Sequence, residues 1–251
     1  MVYTRSNREI EKISKSCQIV ADTLIMLEDH VVDGACVSDL DKMAEEYILS
    51  KGARPAFKGY MGFPSTLCVS IEDAVVHGIP GKNILKQGQI VGIDCGAELE
   101  GYYGDHARSF AVGEITLEKK KLLNVTKESL LKGIDQAIPG NYVGDIGKAV
   151  QDHAESNGFS VVRELVGHGI GTSLHEEPQI PNYGEAHQGY KLRSGMCIAI
   201  EPMINSGSRE VFTASDGWTI LTKDGQPSAH FEHTIAITEN GPKILSVGSN
   251  G

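Results

Sequence analysis

The chain has 251 residues, enough for one large domain or two small ones, and its 23 Lys plus Arg stand against 33 Asp plus Glu, a formal charge of -10. That balance disfavours nucleic acid and anionic lipid as partners, and no apolar run reaches the roughly 18 residues a membrane helix needs. The charged stretch 4–9 offers no signal-peptide core, and the five cysteines (Cys17, Cys36, Cys68, Cys95, Cys197) form no close pair, so a cytoplasmic protein with reduced thiols and no cysteine-rich zinc site is expected.

In chain order, Ser6-Asn7-Arg8-Glu9 reads as a capping box opening a long helix, with Ile10, Ile13, Cys17, Val20, Leu24 and Leu27 at helical spacing. A second helix is predicted from Ser38, with Asp41 three residues on and Leu40, Met43, Tyr47 and Ile48 on one face, ending at Gly52. A strand follows near 66–71. Next comes an apolar run into Asp94, a turn signal, and a return to Asp105. With a two-residue loop at Leu99-Glu100 or at Glu100-Gly101, the period of two puts both acids on the same face, directly opposite or one pair apart. Two carboxylates within about 5 Å on an apolar face must share a proton or a cation.

From Thr116 the pattern restarts with a long helix (Leu122, Leu130, Ile134, Ala137), where Lys119-Lys120-Lys121 reads as a solvated face, then Pro139-Gly140 and a shorter helix ending at Asn157-Gly158. At an offset of 106, Gly34, Val37, Asp39, Lys42, Ser50 and Gly52 coincide with Gly140, Val143, Asp145, Lys148, Ser156 and Gly158, which suggests a duplication. Apolar runs at 160–166, 196–200 and 231–238 supply the second half's strands. The expected architecture is α+β: a single domain, 1–251, of two similar halves (about 6–112 and 116–240) whose antiparallel strands form a shared sheet backed by helices.

The second half adds Gly167-His168-Gly169-Ile170-Gly171, Leu174-His175-Glu176-Glu177-Pro178, Ile200-Glu201-Pro202 and Phe231-Glu232-His233, each polar residue at the edge of an apolar run. Glycines beside His168 allow close backbone approach to a ligand. Glu201 and Glu232 are either acids facing water or, if buried, in need of a cation. Taken together, Asp94, Asp105, His168, Glu201 and Glu232 form a hard, oxygen-rich set suited to Mn, Fe(II) or Co and able to take Zn. Two divalent ions roughly 3.5 to 4 Å apart can use all five, with two carboxylates bridging.

These motifs, with Gly59-Tyr60-Met61-Gly62-Phe63-Pro64, Val76-His77-Gly78-Ile79-Pro80 and Phe231-Glu232-His233-Thr234, run in an order and spacing that resembles the type I methionine aminopeptidases of the bacterial kind nearly end to end. The resemblance implies a pita-bread fold and removal of the initiator methionine when the next residue is small. It implies Asp94 on one metal ion only, Asp105 and Glu232 bridging two, and His168 and Glu201 completing the other, with Glu201 also the general base toward a water shared by the ions. It further implies that His77 and His175 hydrogen-bond the peptide and the developing oxyanion, and that Tyr60, Phe63, Cys68, Leu174 and Trp218 line a methionine pocket. Phe57, Met61 and Leu174 depart from the residues common at those positions in the family. The expected cofactors are two divalent ions (Co, Mn, Fe(II) or Zn). The expected partners are nascent polypeptides beginning with Met, with transient ribosome contact, but neither sequence-specific nucleic acid nor membrane, and a monomer is expected. The competing readings are a proline-directed aminopeptidase of the same fold, which usually carries an extra N-terminal domain, and a non-catalytic peptide-binding module, which would lack ligands that are all present here.

Overall fold

The computed structural model describes residues 2–249. Helix α1 (Asn7–Glu28) starts where the Ser6 hydroxyl accepts from Glu9 N and the Glu9 carboxylate returns to Ser6 N, and it buries Ile13, Cys17, Val20, Leu24 and Leu27. Helix α2 (Val37–Ser50) begins one residue before the predicted Ser38, with Cys36 at its N-cap and no side-chain cap. The acid expected to open it is used elsewhere: Asp41 Oδ1 accepts from the backbone N–H of Thr66 (3.0 Å) and Leu67 (2.8 Å), fastening the helix to the strand Leu67–Ile71.

The acid hairpin pairs Ile90–Leu99 with Tyr102–Ala111. Glu100 (φ 53) and Gly101 (φ 82) both lie in the left-handed region, the signature of a two-residue turn that follows the strand twist. This selects the second of the two predicted loops. Asp94 therefore pairs with Ala107, and Asp105 with Gly96, leaving the acids diagonal on one face.

Helix α3 (Leu117–Asp135) is capped by the Thr116 hydroxyl, which accepts from Lys119 N, and α4 (Val143–Ser156) follows α2 residue for residue 106 positions on. Lys119 is not part of a solvated face. Its ammonium reaches the Glu72 carboxylate and the Gly88 carbonyl, both at 2.7 Å, and pins the helix to the first half. The run 160–166 contributes only the short strand Ser160–Val161, because after Val162 donates to the Met203 carbonyl the chain turns Arg163 over the Tyr183 ring.

The strands fall into antiparallel ladders. The first half centres on Ile90–Leu99, flanked by Leu67–Ile71 and Tyr102–Ala111; the second runs Gly241–Ile244, His233–Thr238, Cys197–Ile200, Gly167–Gly169, Glu176–Ile180. Polar contacts knit the two halves into a pseudo-symmetric pair at the centre. Glu232 N donates to the Ala107 carbonyl (2.9 Å), and the Thr234 hydroxyl donates to the Asp105 carbonyl (2.8 Å) while accepting from Asp105 N (3.3 Å). The second acid of the hairpin is thereby fixed from both halves. One core packs α1 and α2 on the first ladder and another packs α3 and α4 on the second, so the opposite faces of the strands are left to form a cavity. Among the described residues no helix is long and apolar enough to cross a membrane.

Candidate metal centre and pocket

A cavity of about 160 Å³ opens on that face. All twelve residues singled out in the sequence line it: Asp94, Asp105, His168, Glu201 and Glu232 at its floor, His77 and His175, and Tyr60, Phe63, Cys68, Leu174 and Trp218 on its wall. They come from both halves, since the hairpin supplies two acids while His168, Glu201 and Glu232 sit on or beside neighbouring strands of the second ladder.

One oxygen or nitrogen each from Asp105, His168 and Glu232 lies within 4.8 Å of the others. Glu201 Oε1 is 3.6 Å from His168 Nε2. The buried oxygens Asp94 Oδ1, Asp105 Oδ1 and Glu232 Oε1 have no hydrogen-bond partner. Unpaired buried carboxylate oxygens are costly, and a cation among them removes the cost, so the donor set fits hard or borderline divalent ions. His168 Nδ1 sits 2.8 Å from the Gly169 carbonyl, so Nδ1–H donates there and Nε2 is free as a lone-pair donor toward the carboxylates.

The electrostatics agree with that fit. Burial pushes Asp94 up to about 7, although a hydrogen bond from Asp105 works the other way. Burial raises Asp105, Glu201 and Glu232 further above the usual carboxylate range, and the neighbouring acids add to the rise in each. A divalent ion among these oxygens would favour their charged forms and lower each pKa. Burial lowers His168 to about 3, with help from nearby His175, which keeps the ring neutral as a ligand must be.

The wall is apolar. Phe63 meets Trp218 edge to face at 5.2 Å, and Leu174 is fully buried behind them. Phe57 and Met61 also line the cavity, although the sequence marked them only as departures from the family. Phe57 has room because Gly96 lacks a side chain: a Cβ there would stand 2.6 Å from the Phe57 ring. Met61 stands at the rim with φ 48 and is 82% exposed.

His175 lies at the mouth, its ring 4.3 Å from that of His168 and its Nδ1 2.8 Å from the Tyr60 hydroxyl. The loop that presents it is clasped from the chain's first residues. The Arg5 guanidinium donates to both oxygens of Glu176 (2.6 and 2.5 Å), and Glu176 Oε1 accepts from the backbone N–H of Thr172 (2.9 Å) and Ser173 (3.1 Å). Arg5 and Glu176 are both buried, and Gly171 leaves the space that the guanidinium fills. His77 takes a left-handed backbone (φ 59), rare for a side chain of its size, and is followed by Gly78, where a Cβ would strike the Val69 carbonyl.

His230 is absent from the sequence-predicted set. It is buried two residues before Glu232, its Nε2 3.7 Å from Glu201 Oε2. The available signal was the alternation His230-Phe231-Glu232, which puts two polar side chains on one side of an extended segment.

The family model for metallopeptidase family M24 matches residues 11–239. The chain is 50% identical over 246 residues to methionine aminopeptidase 1 of Bacillus subtilis, covering 98% of this chain and 99% of that one. The crystal structure of methionine aminopeptidase from Thermotoga maritima superposes with a TM-score of 0.97 at 45% identity, covering 98% of this chain and all of that one. Prolidase from Pyrococcus horikoshii superposes with a TM-score of 0.80 at 24% identity, covering 98% of this chain and 64% of that one, a likeness of fold alone.

Proposed function

The chain belongs to metallopeptidase family M24, and from that premise we propose that it is an enzyme removing N-terminal methionine from nascent proteins and peptides whose second residue is small. The observation that carries this is one cavity joining an apolar wall of thioether size to a floor of unpaired carboxylates, in a chain whose relatives bear that activity in their names.

Asp94, Asp105, His168, Glu201 and Glu232 would hold two divalent ions (Co, Mn, Fe(II) or Zn). Ions bound there polarise a carbonyl oxygen and bring the pKa of a water toward neutrality. The protein's own groups do the rest. The methionine side chain lies against Tyr60, Phe63, Cys68, Leu174 and Trp218, whose soft, apolar surfaces suit a thioether. The Tyr60 hydroxyl is 2.8 Å from His175 Nδ1; in the tautomer where Nδ1 accepts from it, Nε2 carries the proton and donates to the scissile carbonyl oxygen as charge develops on it. Burial, then the neighbouring His175, lowers the pKa of His77, so it too is neutral and able to donate to the peptide. Glu201 accepts the proton of the attacking water.

Residues 1–251 act as one catalytic domain, since both halves contribute to the cavity. A cytoplasmic location fits the free cysteines, and the chain would act as a monomer that meets nascent chains by transient ribosome contact. The test is release of methionine from Met-Ala-Ser, Met-Lys-Ser and an Ala-Pro-peptide by metal-stripped protein with ions added back. Cleavage of Met-Ala-Ser alone, restored by Mn, Co or Fe(II) and poorly by Mg, is expected. Equal cleavage of the Ala-Pro-peptide would move the assignment to the proline-directed relatives, and full activity after exhaustive chelation would remove the metal centre from it.

A further inference from the structure

His230 has no part in peptide or ion binding as described, yet it is buried beside the cavity floor, with Nε2 3.7 Å from Glu201 Oε2. Its strand, Ser228–His230, is pinned across the interface between the halves by one hydroxyl: Ser109 Oγ accepts from His230 N (3.0 Å) and donates to its carbonyl (2.9 Å). The ring is 3% exposed, and Nε2 has no hydrogen-bond partner. A hydrophobe of similar size would fill this volume without burying an unpaired nitrogen.

What Nε2 does face is Glu201. The two oxygens of that carboxylate are divided between two imidazoles, Oε1 at 3.6 Å from His168 Nε2 and Oε2 at 3.7 Å from His230 Nε2. A movement of less than about 1 Å brings the second separation to hydrogen-bond length. A carboxylate that accepts an N–H through one oxygen is fixed in rotation about its last bond, and its other oxygen is aimed.

We propose that His230 is a positioning residue for Glu201: its Nε2–H donates to Glu201 Oε2 and turns Oε1 toward the ion that His168 faces. The inference rests on the reading of Glu201 as a metal ligand. Hydrogen-bond partners of ligands are worth about 10–100-fold in metal affinity, which sets the size of the effect.

The experiment is cobalt titration into stripped protein, followed by calorimetry and by the visible absorption of bound Co(II), for the parent, His230→Leu, His230→Gln and Glu201→Gln, with steady-state kinetics on Met-Ala-Ser. His230→Leu should weaken the tight cobalt site by about 10–100-fold and lower kcat with little change in KM. His230→Gln, whose amide N–H₂ can donate over similar reach, should restore both toward the parent and leave the Co(II) band where it was, since the ring never touched the ion. Parent-like affinity and kcat in His230→Leu would reduce the ring to filler. A displaced band in His230→Gln would make it a ligand. Either result overturns the proposal. Glu201→Gln separates the two levels: parent-like cobalt binding there overturns the reading of Glu201 itself, and the positioning role with it.

Discussion

Glu201 and His175 stand on the same cavity but are predicted to fail differently. Glu201→Gln keeps the volume while removing a charge that faces His168, so metal affinity and turnover should both fall. His175→Ala removes a ring that hydrogen-bonds Tyr60 and leaves the Asp105, His168 and Glu232 group intact. It should keep its metal stoichiometry while kcat drops by on the order of 10²-fold or more. If the contact forms mainly in the transition state, kcat and kcat/KM fall together. Parallel metal calorimetry and kinetics on both variants check this, and loss of a bound ion from His175→Ala would show that the division is wrong. At this scale the sequence was legible where an acid or histidine ended an apolar run, as at Asp94 and Glu201. It was not legible at His230, whose partner is 29 positions away in the chain and is brought near only by the packing of one strand set on another.

Among the elements, the hairpin shows how far periodicity reaches. Alternation puts Asp94 and Asp105 on one face, but whether they are opposite or diagonal depends on which two residues adopt positive φ, and the turn chose Glu100-Gly101. The α2 boundary failed for a different reason. An acid three residues after a serine is the local signature of a cap, but Asp41 is claimed by backbone N–H groups of another strand, a competition invisible to local sequence. The hairpin also packs closely against α1. A Cβ on Gly104 would stand 2.4 Å from Cys17 N in α1, and backbone cannot swing aside as a flexible side chain can. Gly104→Ala should therefore cost about 1–3 kcal/mol, at about 2–4 °C in Tm per kcal/mol for a chain of this size. Because Asp105 is the next residue, the same variant should bind metal less tightly. A melt within 1 °C or so of the parent, on the scale just given, would mean that α1 and the hairpin can separate freely.

For the molecule as a whole, the pKa shifts predict an unusual stability profile for the metal-free protein. Several buried histidines sit below their ordinary 6.5, His168 and His230 at about 3 and His233 at about 4. The unfolded chain therefore binds more protons than the folded one up to about pH 6.5, and stability rises with pH across that range. The carboxylates act in the opposite sense. Asp94 at about 7, and Asp105, Glu201 and Glu232 raised as well, hold protons in the folded state that the unfolded chain has already lost, so stability falls as pH rises from about 4 through these folded values. The two trends oppose each other below pH 6.5, and only the carboxylate trend remains above it. Thermal melts of stripped protein should decline from pH 6.5 to 8.5, while saturating Mn or Co should remove the decline by replacing the protons with an ion. A flat profile for stripped protein would show that the four acids do not share one low-dielectric site.

The clasp between Arg5 and Glu176 joins residues 171 positions apart. Synthesis proceeds from the N-terminus, so the guanidinium is made long before the carboxylate it will meet, and this clasp on the loop bearing His175 cannot form until both exist. The hairpin acids arrive early and the clasp closes late. A growing chain can thus bring the hairpin's two acids together before Glu201 and Glu232 are made, and competence waits for the second half. Release of purified N-terminal fragments that include both Asp94 and Asp105 but stop before Glu176 should yield no peptidase at any metal concentration, and activity should return when the missing half is supplied as a separate polypeptide.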